Sequence, residues 1–114
     1  MTRTRLKYVT GLTTAVLAAT VFAAAPASAG ELTIKRTCNG VVTQYWAYSS
    51  HTLAYTQKTG TSCAGYAWVR VKTNGTWKSW ISSPTKATIK NSTGNYQASQ
   101  HKGCADCTVY TLYP

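Results

Sequence analysis

Acidic residues are almost absent from this chain of 114 residues. Glu31 and Asp106 are its only acids, against 12 Lys and Arg residues, and the formal net charge is +10. Catalysis by paired carboxylates needs two acids that flank one substrate, so this composition argues against a glycosidase. The charge favours anionic partners instead: envelope polymers, phospholipid headgroups, nucleic acid or acidic patches on proteins.

Long apolar runs are absent beyond the first 29 residues. That stretch begins with three basic residues, continues as an Ala-rich apolar segment, and ends in a small-x-small cleavage site at Ala29. We predict a secretory signal peptide over residues 1–29, of bacterial type, and a secreted chain of one small domain over residues 30–114. No later run approaches the ~20 apolar residues that span a bilayer, so we expect no transmembrane segment.

Phenylalanine, methionine and helical periodicity are also missing from the predicted mature chain. The one Phe and the one Met of the sequence lie in the signal segment, whereas Tyr and Trp continue to the C-terminus. Turn residues interrupt Thr-, Val- and Tyr-rich runs at intervals of about 8–12 residues. These features predict an all-β fold, a small disulfide-stabilised antiparallel sandwich or barrel of about seven or eight short strands. The predicted strands lie near residues 32–36, 41–48, 53–57, 66–72, 76–82, 87–91, 96–100 and 108–113.

Four cysteines remain in this small exported domain, where disulfides commonly supplement a modest core. Three pairings are possible. We favour Cys38–Cys63 with Cys104–Cys107, and the rival joins Cys38 to Cys107 and Cys63 to Cys104. A redox Cys-x-x-Cys usually opens a helix, and a zinc site needs two close pairs. We therefore expect disulfides, with no metal and no cofactor.

The strongest local signal is Asn74-Gly75, which fits a two-residue type I′ hairpin turn. The implied register sets Lys72 opposite Trp77, and side chains then alternate between two faces. The predicted core face carries Ala67, Val69, Val71 and Trp80. The other face carries Tyr66, Trp68, Arg70, Lys72, Trp77 and Ile81.

This second face, with its interleaved rings and cations, is the candidate binding surface. Its rings could stack on a sugar or a base while Arg70 and Lys72 meet negative charge. The alternative is a partly buried face covered by another strand, with both cations at its rim. The predicted binding residues are Tyr66, Trp68, Arg70, Lys72 and Trp77.

A second aromatic cluster, Tyr45-Trp46-Ala47-Tyr48, occupies one predicted strand, with Tyr45 on one face and Trp46 with Tyr48 on the other. One face must pack inward. We expect Trp46 to be the core tryptophan, packed against the Cys38–Cys63 bridge.

The chain is similar to small secreted α-amylase inhibitors of the tendamistat type in size, export, cysteine number and the position of Trp46 and Tyr48 after Cys38. That resemblance implies a two-disulfide β-sandwich. This chain has Ala47 where those inhibitors carry arginine, and its second cysteine pair is much closer together. No inhibitory residue is carried over, and inhibition of a secreted hydrolase stands as an alternative function.

Enzymatic candidates are few. A Ser-His-Asp triad could draw on His51, His101 and Asp106, but no nucleophile-elbow sequence frames a serine. Ribonuclease chemistry could use His51, His101 and Lys102 as acid, base and phosphate-binding cation, and it is the second alternative. We expect a non-enzymatic, secreted binding protein, with antimicrobial action included, that engages an anionic envelope surface or a glycan. A secreted enzyme would be the partner of an inhibitor. The sequence leaves the oligomeric state open.

Overall fold

The computed structural model describes residues 28–114, with side chains from Gly30 onward, and this part of the chain folds into two packed β-sheets. Its strands are β1 (Ser28–Ala29), β2 (Glu31–Cys38), β3 (Val41–Ser49), β4 (Leu53–Lys58), β5 (Ala67–Thr73), β6 (Thr76–Trp77), β7 (Ile81–Ser83), β8 (Lys86–Lys90), β9 (Ala98–Lys102) and β10 (Tyr110–Tyr113). The larger sheet has the order β1-β10-β9-β5-β6, with β7 also paired to β5, and the smaller has the order β2-β3-β4-β8. The predicted all-β, disulfide-stabilised fold is confirmed. Within residues 28–114 there is no helix suited to crossing a membrane.

The predicted signal segment lies outside the described residues, apart from Ser28 and Ala29. These two residues form β1, which pairs in parallel with the end of β10. Gly30 continues the contact, because its N–H donates to the Tyr113 carbonyl at 2.6 Å. Cleavage after Ala29, as predicted from the sequence, would therefore remove β1 and leave one side of β10 unpaired.

The core lies between the sheets and is built from small and branched side chains. One cluster contains Tyr45, Ile34 and Leu112, and a second contains Val69, Val71 and Tyr96. Buried alanines from several strands join both clusters: Ala47, Ala54, Ala67 and Ala87. Such short side chains let the two sheets pack closely, which keeps a small core dense without phenylalanine.

The two disulfides join Cys38 to Cys63 and Cys104 to Cys107, the pairing that the sequence analysis favoured. The first links the end of β2 to the loop between β4 and β5. Asp106 lies beside the second, but both sulfurs there are in the disulfide, so they are not free thiolates for a metal.

Two of the cations hold loops in place. Arg36 Nη1 donates to the Ala64 and Gly103 carbonyls, both at 2.9 Å, and contacts the Tyr45 hydroxyl at 3.1 Å. Lys58 Nζ donates to the Cys63 carbonyl at 2.6 Å and to that of Gly65 at 2.9 Å. Such charge-assisted hydrogen bonds anchor the loop after β4. These two charges thus serve the fold.

The predicted hairpin forms, but its second strand is broken. Asn74 and Gly75 both have positive φ, as a type I′ turn requires, and Lys72 pairs with Trp77. Beyond residues 78–80 the pairing has shifted by one residue, because Val69 pairs with Ile81 where an unbroken hairpin would pair it with Trp80. One extra residue in this strand produces a β-bulge.

The bulge reverses the predicted faces of two residues. Trp80, expected in the core, lies on the outer face against Trp68, with the ring centroids 6.5 Å apart in an edge-to-face arrangement. Ile81, expected on the outer face, lines an open hollow with Val71 and Tyr96 at the other side of the sheet. A one-residue shift in register moves every following side chain to the opposite face.

The expectation that Trp46 is a core residue is also wrong. Trp46 is 48% exposed on the outer face of β3, and Tyr45, at 0% exposure, takes the core position. The alternation along β3 forces this choice, because only one of two adjacent residues can point inward. Ala47 is buried as well. The central residue of the Trp46-Ala47-Tyr48 triplet is therefore not accessible, and the triplet does not form an exposed surface of the inhibitor kind.

Candidate ligand-binding surface

The outer face of the larger sheet carries most of the residues that the sequence analysis assigned to binding. Along β5, Ala67, Val69, Val71 and Thr73 are buried, whereas Trp68, Arg70 and Lys72 are half-buried and point outward. The neighbouring strand β9 is antiparallel to β5 and sets Lys102 opposite Trp68. Strand alternation therefore gathers aromatic and cationic side chains on one side of the sheet.

Three indole rings alternate with three cations across this face, in the order Lys72, Trp77, Arg70, Trp80, Lys102 and Trp68, which we name the Trp–cation ladder. Arg70 Cζ lies 5.1 Å from the Trp77 ring centroid and 4.6 Å from that of Trp80. Lys102 Nζ lies 4.3 Å from the Trp80 centroid and 5.0 Å from that of Trp68. Lys72 Nζ completes the row, 5.8 Å from Trp77.

Each of these contacts is a cation–π interaction, worth about 0.5–1 kcal/mol at an exposed site. All six side chains are half-buried, so the ladder is a side-chain layer on the sheet that keeps contact with water. No strand of residues 28–114 pairs over it, and neither acid of the chain belongs to it. Of the predicted alternative, the partial burial of Trp68, Arg70, Lys72 and Trp77 holds, but within residues 28–114 no further strand covers the face.

Hydrogen bonds tie the ladder to the strands beneath it. Arg70 Nε donates to Gln100 Oε1 at 2.8 Å, and Gln100 Nε2 donates in turn to Thr111 Oγ1 at 3.2 Å. Lys102 Nζ donates to the Ala105 carbonyl at 2.7 Å. A guanidinium has five N–H donors and an ammonium has three. Arg70 and Lys102 therefore keep donors that a ligand can use.

One residue predicted to bind, Tyr66, does not join the ladder, and two ladder residues, Trp80 and Lys102, were not among the predicted binding residues. Tyr66 lies just before β5, 51% exposed, and makes no ring–cation contact within the described chain. Trp80 was missed because the bulge was not anticipated. Lys102 was missed because its strand is adjacent to β5 only in the folded sheet. The Asn74-Gly75 turn alone was enough to predict the pairing of Lys72 with Trp77, because these two residues are close in sequence.

The two histidines considered for catalysis occupy very different environments. His51 is exposed, and its Nδ1 lies 3.1 Å from the Tyr96 carbonyl. His101 has 0% exposure, and burial lowers its pKa to about 3 despite an opposing interaction with the Tyr55 backbone. A ribonuclease site needs imidazoles that reach the substrate and change protonation near neutral pH. His101 meets neither condition.

Neutral His101 is held by uncharged partners from both sheets. Its Nδ1 lies 2.8 Å from Thr56 Oγ1 on β4, and that hydroxyl donates to the Trp68 carbonyl at 2.8 Å. Its Nε2 lies 2.6 Å from Ser99 Oγ. A protonated Nδ1 and an accepting Nε2 satisfy every one of these contacts. His101 thus links the sheets beneath the ladder.

Comparison of the chain with protein-family models, curated proteins and solved structures found no match.

Proposed function

We propose that this protein is a secreted, basic, non-enzymatic binding protein that engages an anionic polymer of a cell envelope through the Trp–cation ladder. The observation that carries the proposal is the ladder itself, in which Arg70 and Lys102 each lie between two indole rings on an open sheet face. Rings on both sides fix the two cations in place, so less side-chain entropy is lost when they bind a phosphate or a carboxylate.

The charge balance supports the same partner. The ladder holds three cations and no acid, and the predicted mature chain has nine Lys and Arg residues against two acids, a net charge of +7. Such a field attracts polyanions over distances of about 10 Å at physiological salt. Antimicrobial action belongs to the proposal, because a protein that covers anionic envelope polymers changes the charge and the permeability of that surface.

The test is binding of poly(glycerol phosphate) by the folded, oxidised protein at 50 and 200 mM NaCl. The ladder variant combines Arg70→Gln, Lys72→Gln and Lys102→Gln. The matched control removes three exposed lysines outside the ladder, through Lys35→Gln, Lys78→Gln and Lys90→Gln.

The wild-type affinity should fall on the order of tenfold between the two salt concentrations, as expected when about three cations release counterions. The ladder variant should bind at least tenfold more weakly than wild type at 50 mM NaCl and lose most of the salt dependence, whereas the control variant should lose less than threefold. Equal losses in the two variants would reduce the effect to net charge and contradict the proposed site.

A further inference from the structure

The outer face of the smaller sheet carries a second aromatic surface, on the opposite side of the sandwich from the ladder. Trp46 and Tyr48 project from β3, and Tyr55 projects from β4. Tyr48 and Tyr55 are cross-strand partners whose rings stack at a centroid distance of 5.4 Å, with 19° between their planes. Trp46 is 48% exposed on the same face. An indole fixed on a regular strand and left open to water is a feature that binding surfaces commonly show.

These rings border an open hollow of about 640 Å³, to which Glu31 and Thr33 also contribute. The register explains the combination, because Glu31 lies opposite Tyr48 and Thr33 lies opposite Trp46. On its other side Trp46 faces Gln57. Each ring thus has a hydrogen-bonding side chain directly across the strand, within the reach of one ligand.

The hollow differs from the ladder in how few of its aromatic rings are in contact with a cation. Lys86 Nζ lies 4.1 Å from the Tyr55 centroid, but within residues 30–114 no cation is found over Trp46 or Tyr48. The indole of Trp46 therefore keeps an unoccupied π-face. It offers the negative side of its quadrupole to a ligand from outside the chain.

Charge decides which ligand fits. Glu31 is one of only two acids in the chain, and it lines this hollow. A carboxylate repels phosphate and sulfate groups, which makes the hollow a poor site for the polyanion assigned to the ladder. The same carboxylate accepts hydrogen bonds from hydroxyl groups. An uncharged pyranose supplies those hydroxyls at its rim, and the C–H bonds on its ring faces pack against an indole.

We propose that this hollow is a second binding site, which takes uncharged sugar residues of a glycan chain. Trp46 stacks on one sugar ring, and Glu31 and Thr33 accept and donate hydrogen bonds at its hydroxyls. The site is independent of the Trp–cation ladder and uses a different ligand chemistry. Because the two faces lie on opposite sides of the sandwich, one molecule can hold a neutral glycan and an anionic polymer at the same time.

The experiment measures binding of four neutral oligosaccharides, cellohexaose, chitohexaose, maltohexaose and mannohexaose, by titration calorimetry. The test variants are Trp46→Ala and Glu31→Gln. The control is Val42→Ala, which removes a 53% exposed side chain from the same face of the same strand, outside the hollow. Near-ultraviolet circular dichroism and the urea midpoint check that every variant is folded.

At least one oligosaccharide should bind wild type, with an affinity that is unchanged between 50 and 500 mM NaCl. Trp46→Ala should weaken that binding about tenfold or more, as loss of a stacking ring does for nucleic-acid bases. Glu31→Gln should weaken it severalfold, and Val42→Ala should leave it unchanged. Binding of poly(glycerol phosphate) should be the same in Trp46→Ala as in wild type, which separates this proposal from the one on the ladder.

Three results would overturn the inference. The first is that none of the four oligosaccharides binds wild type. The second is that Trp46→Ala binds as well as wild type. The third is a wild-type dimer in solution that becomes monomeric on Trp46→Ala, because the face would then be an interface between two copies of the chain.

Discussion

The two outer faces of the sandwich are built from the same kinds of side chain and yet present different surfaces. On the larger sheet, the cross-strand partner of Trp77 is Lys72 and that of Trp68 is Lys102. On the smaller sheet, Trp46 faces Thr33 and Gln57. For these three tryptophans, a cationic partner across the strand engages the ring, and uncharged partners leave the ring of Trp46 open to a ligand.

The two proposals together assign one recognition site to each sheet of a small sandwich. In the polyanion site proposed at the ladder, the rings hold the cations and the ligand meets the cations. In the proposed sugar site at the hollow, the ligand meets the rings themselves, and Glu31 disfavours anions. Neither arrangement needs a deep cavity, which a domain of this size has little interior to form.

The largest expected effect comes from removing the bulge that places Trp80 in the ladder. Deletion of Ile81 should restore the unbroken register and set Trp80 opposite Val69 on the inner face, while Trp68 stays paired with Ser82. It should cost about 2–3 kcal/mol of unfolding free energy, because Trp80 loses its contacts with Trp68, Arg70 and Lys102. Urea denaturation measures the loss. Ser79→Ala keeps the register and should stay within about 0.5 kcal/mol of wild type. A deletion variant as stable as Ser79→Ala would show that the bulge does not determine the position of Trp80.

A smaller effect on stability is expected from the protonation of His101, which bonds Thr56 across the two sheets. The unfolded chain protonates His101 as the pH falls through 6.5, whereas the folded protein keeps it neutral down to about pH 3. Between pH 6.5 and about 3 the unfolded state therefore binds one more proton than the folded state. The free energy of unfolding should fall by about 1.4 kcal/mol for each unit by which the pH is lowered. Urea denaturation at pH 7, 6, 5 and 4 measures that slope.

His101→Gln serves as the comparison for the pH series. It should be less stable than wild type at pH 7, because the buried hydrogen bonds to Thr56 and Ser99 are disturbed. Its stability should change less with pH, since the buried titrating group is gone. An identical pH slope in the two proteins would assign the effect to other residues.

The smallest effect is expected from a cation introduced beside Trp46, which gives the hollow a ring–cation contact like those of the ladder. Thr33→Lys sets an ammonium opposite Trp46, where it should form a cation–π contact worth about 0.5–1 kcal/mol at most. Affinity for the neutral hexasaccharide should then fall, because the indole is occupied and the Thr33 hydroxyl is lost, and affinity for poly(glycerol phosphate) should rise by about threefold. Titration calorimetry measures both.

Thr37→Lys is the matched control for that exchange. It adds the same charge on the same face of β2, but opposite Val42, which has no ring. Its hexasaccharide affinity should remain that of wild type. If Thr37→Lys lowers sugar binding as much as Thr33→Lys does, the open face of Trp46 is not what the sugar recognises.

Local signals predicted the strands well and the faces less well. Alternation and turn residues located β2 to β5, and Asn74-Gly75 gave the pairing of Lys72 with Trp77. The extra residue that follows was not predictable, because a bulge depends on how the strand packs against the rest of the sheet. The burial of Tyr45 in place of Trp46 was likewise not predictable from local sequence, since alternation defines two faces but does not say which one meets the core.

The sequence by itself determined the all-β class, the surplus of cations over acids and the alternation that separates rings from core residues along each strand. These follow from residue type and from neighbours in the chain, so they need no knowledge of distant segments. Only the tertiary structure decided that Lys102 meets Trp68 and Trp80, and that His101 on β9 bonds Thr56 on β4. Such contacts join strands that are far apart in sequence, and they exist because burial of the inner faces fixes which strands become neighbours.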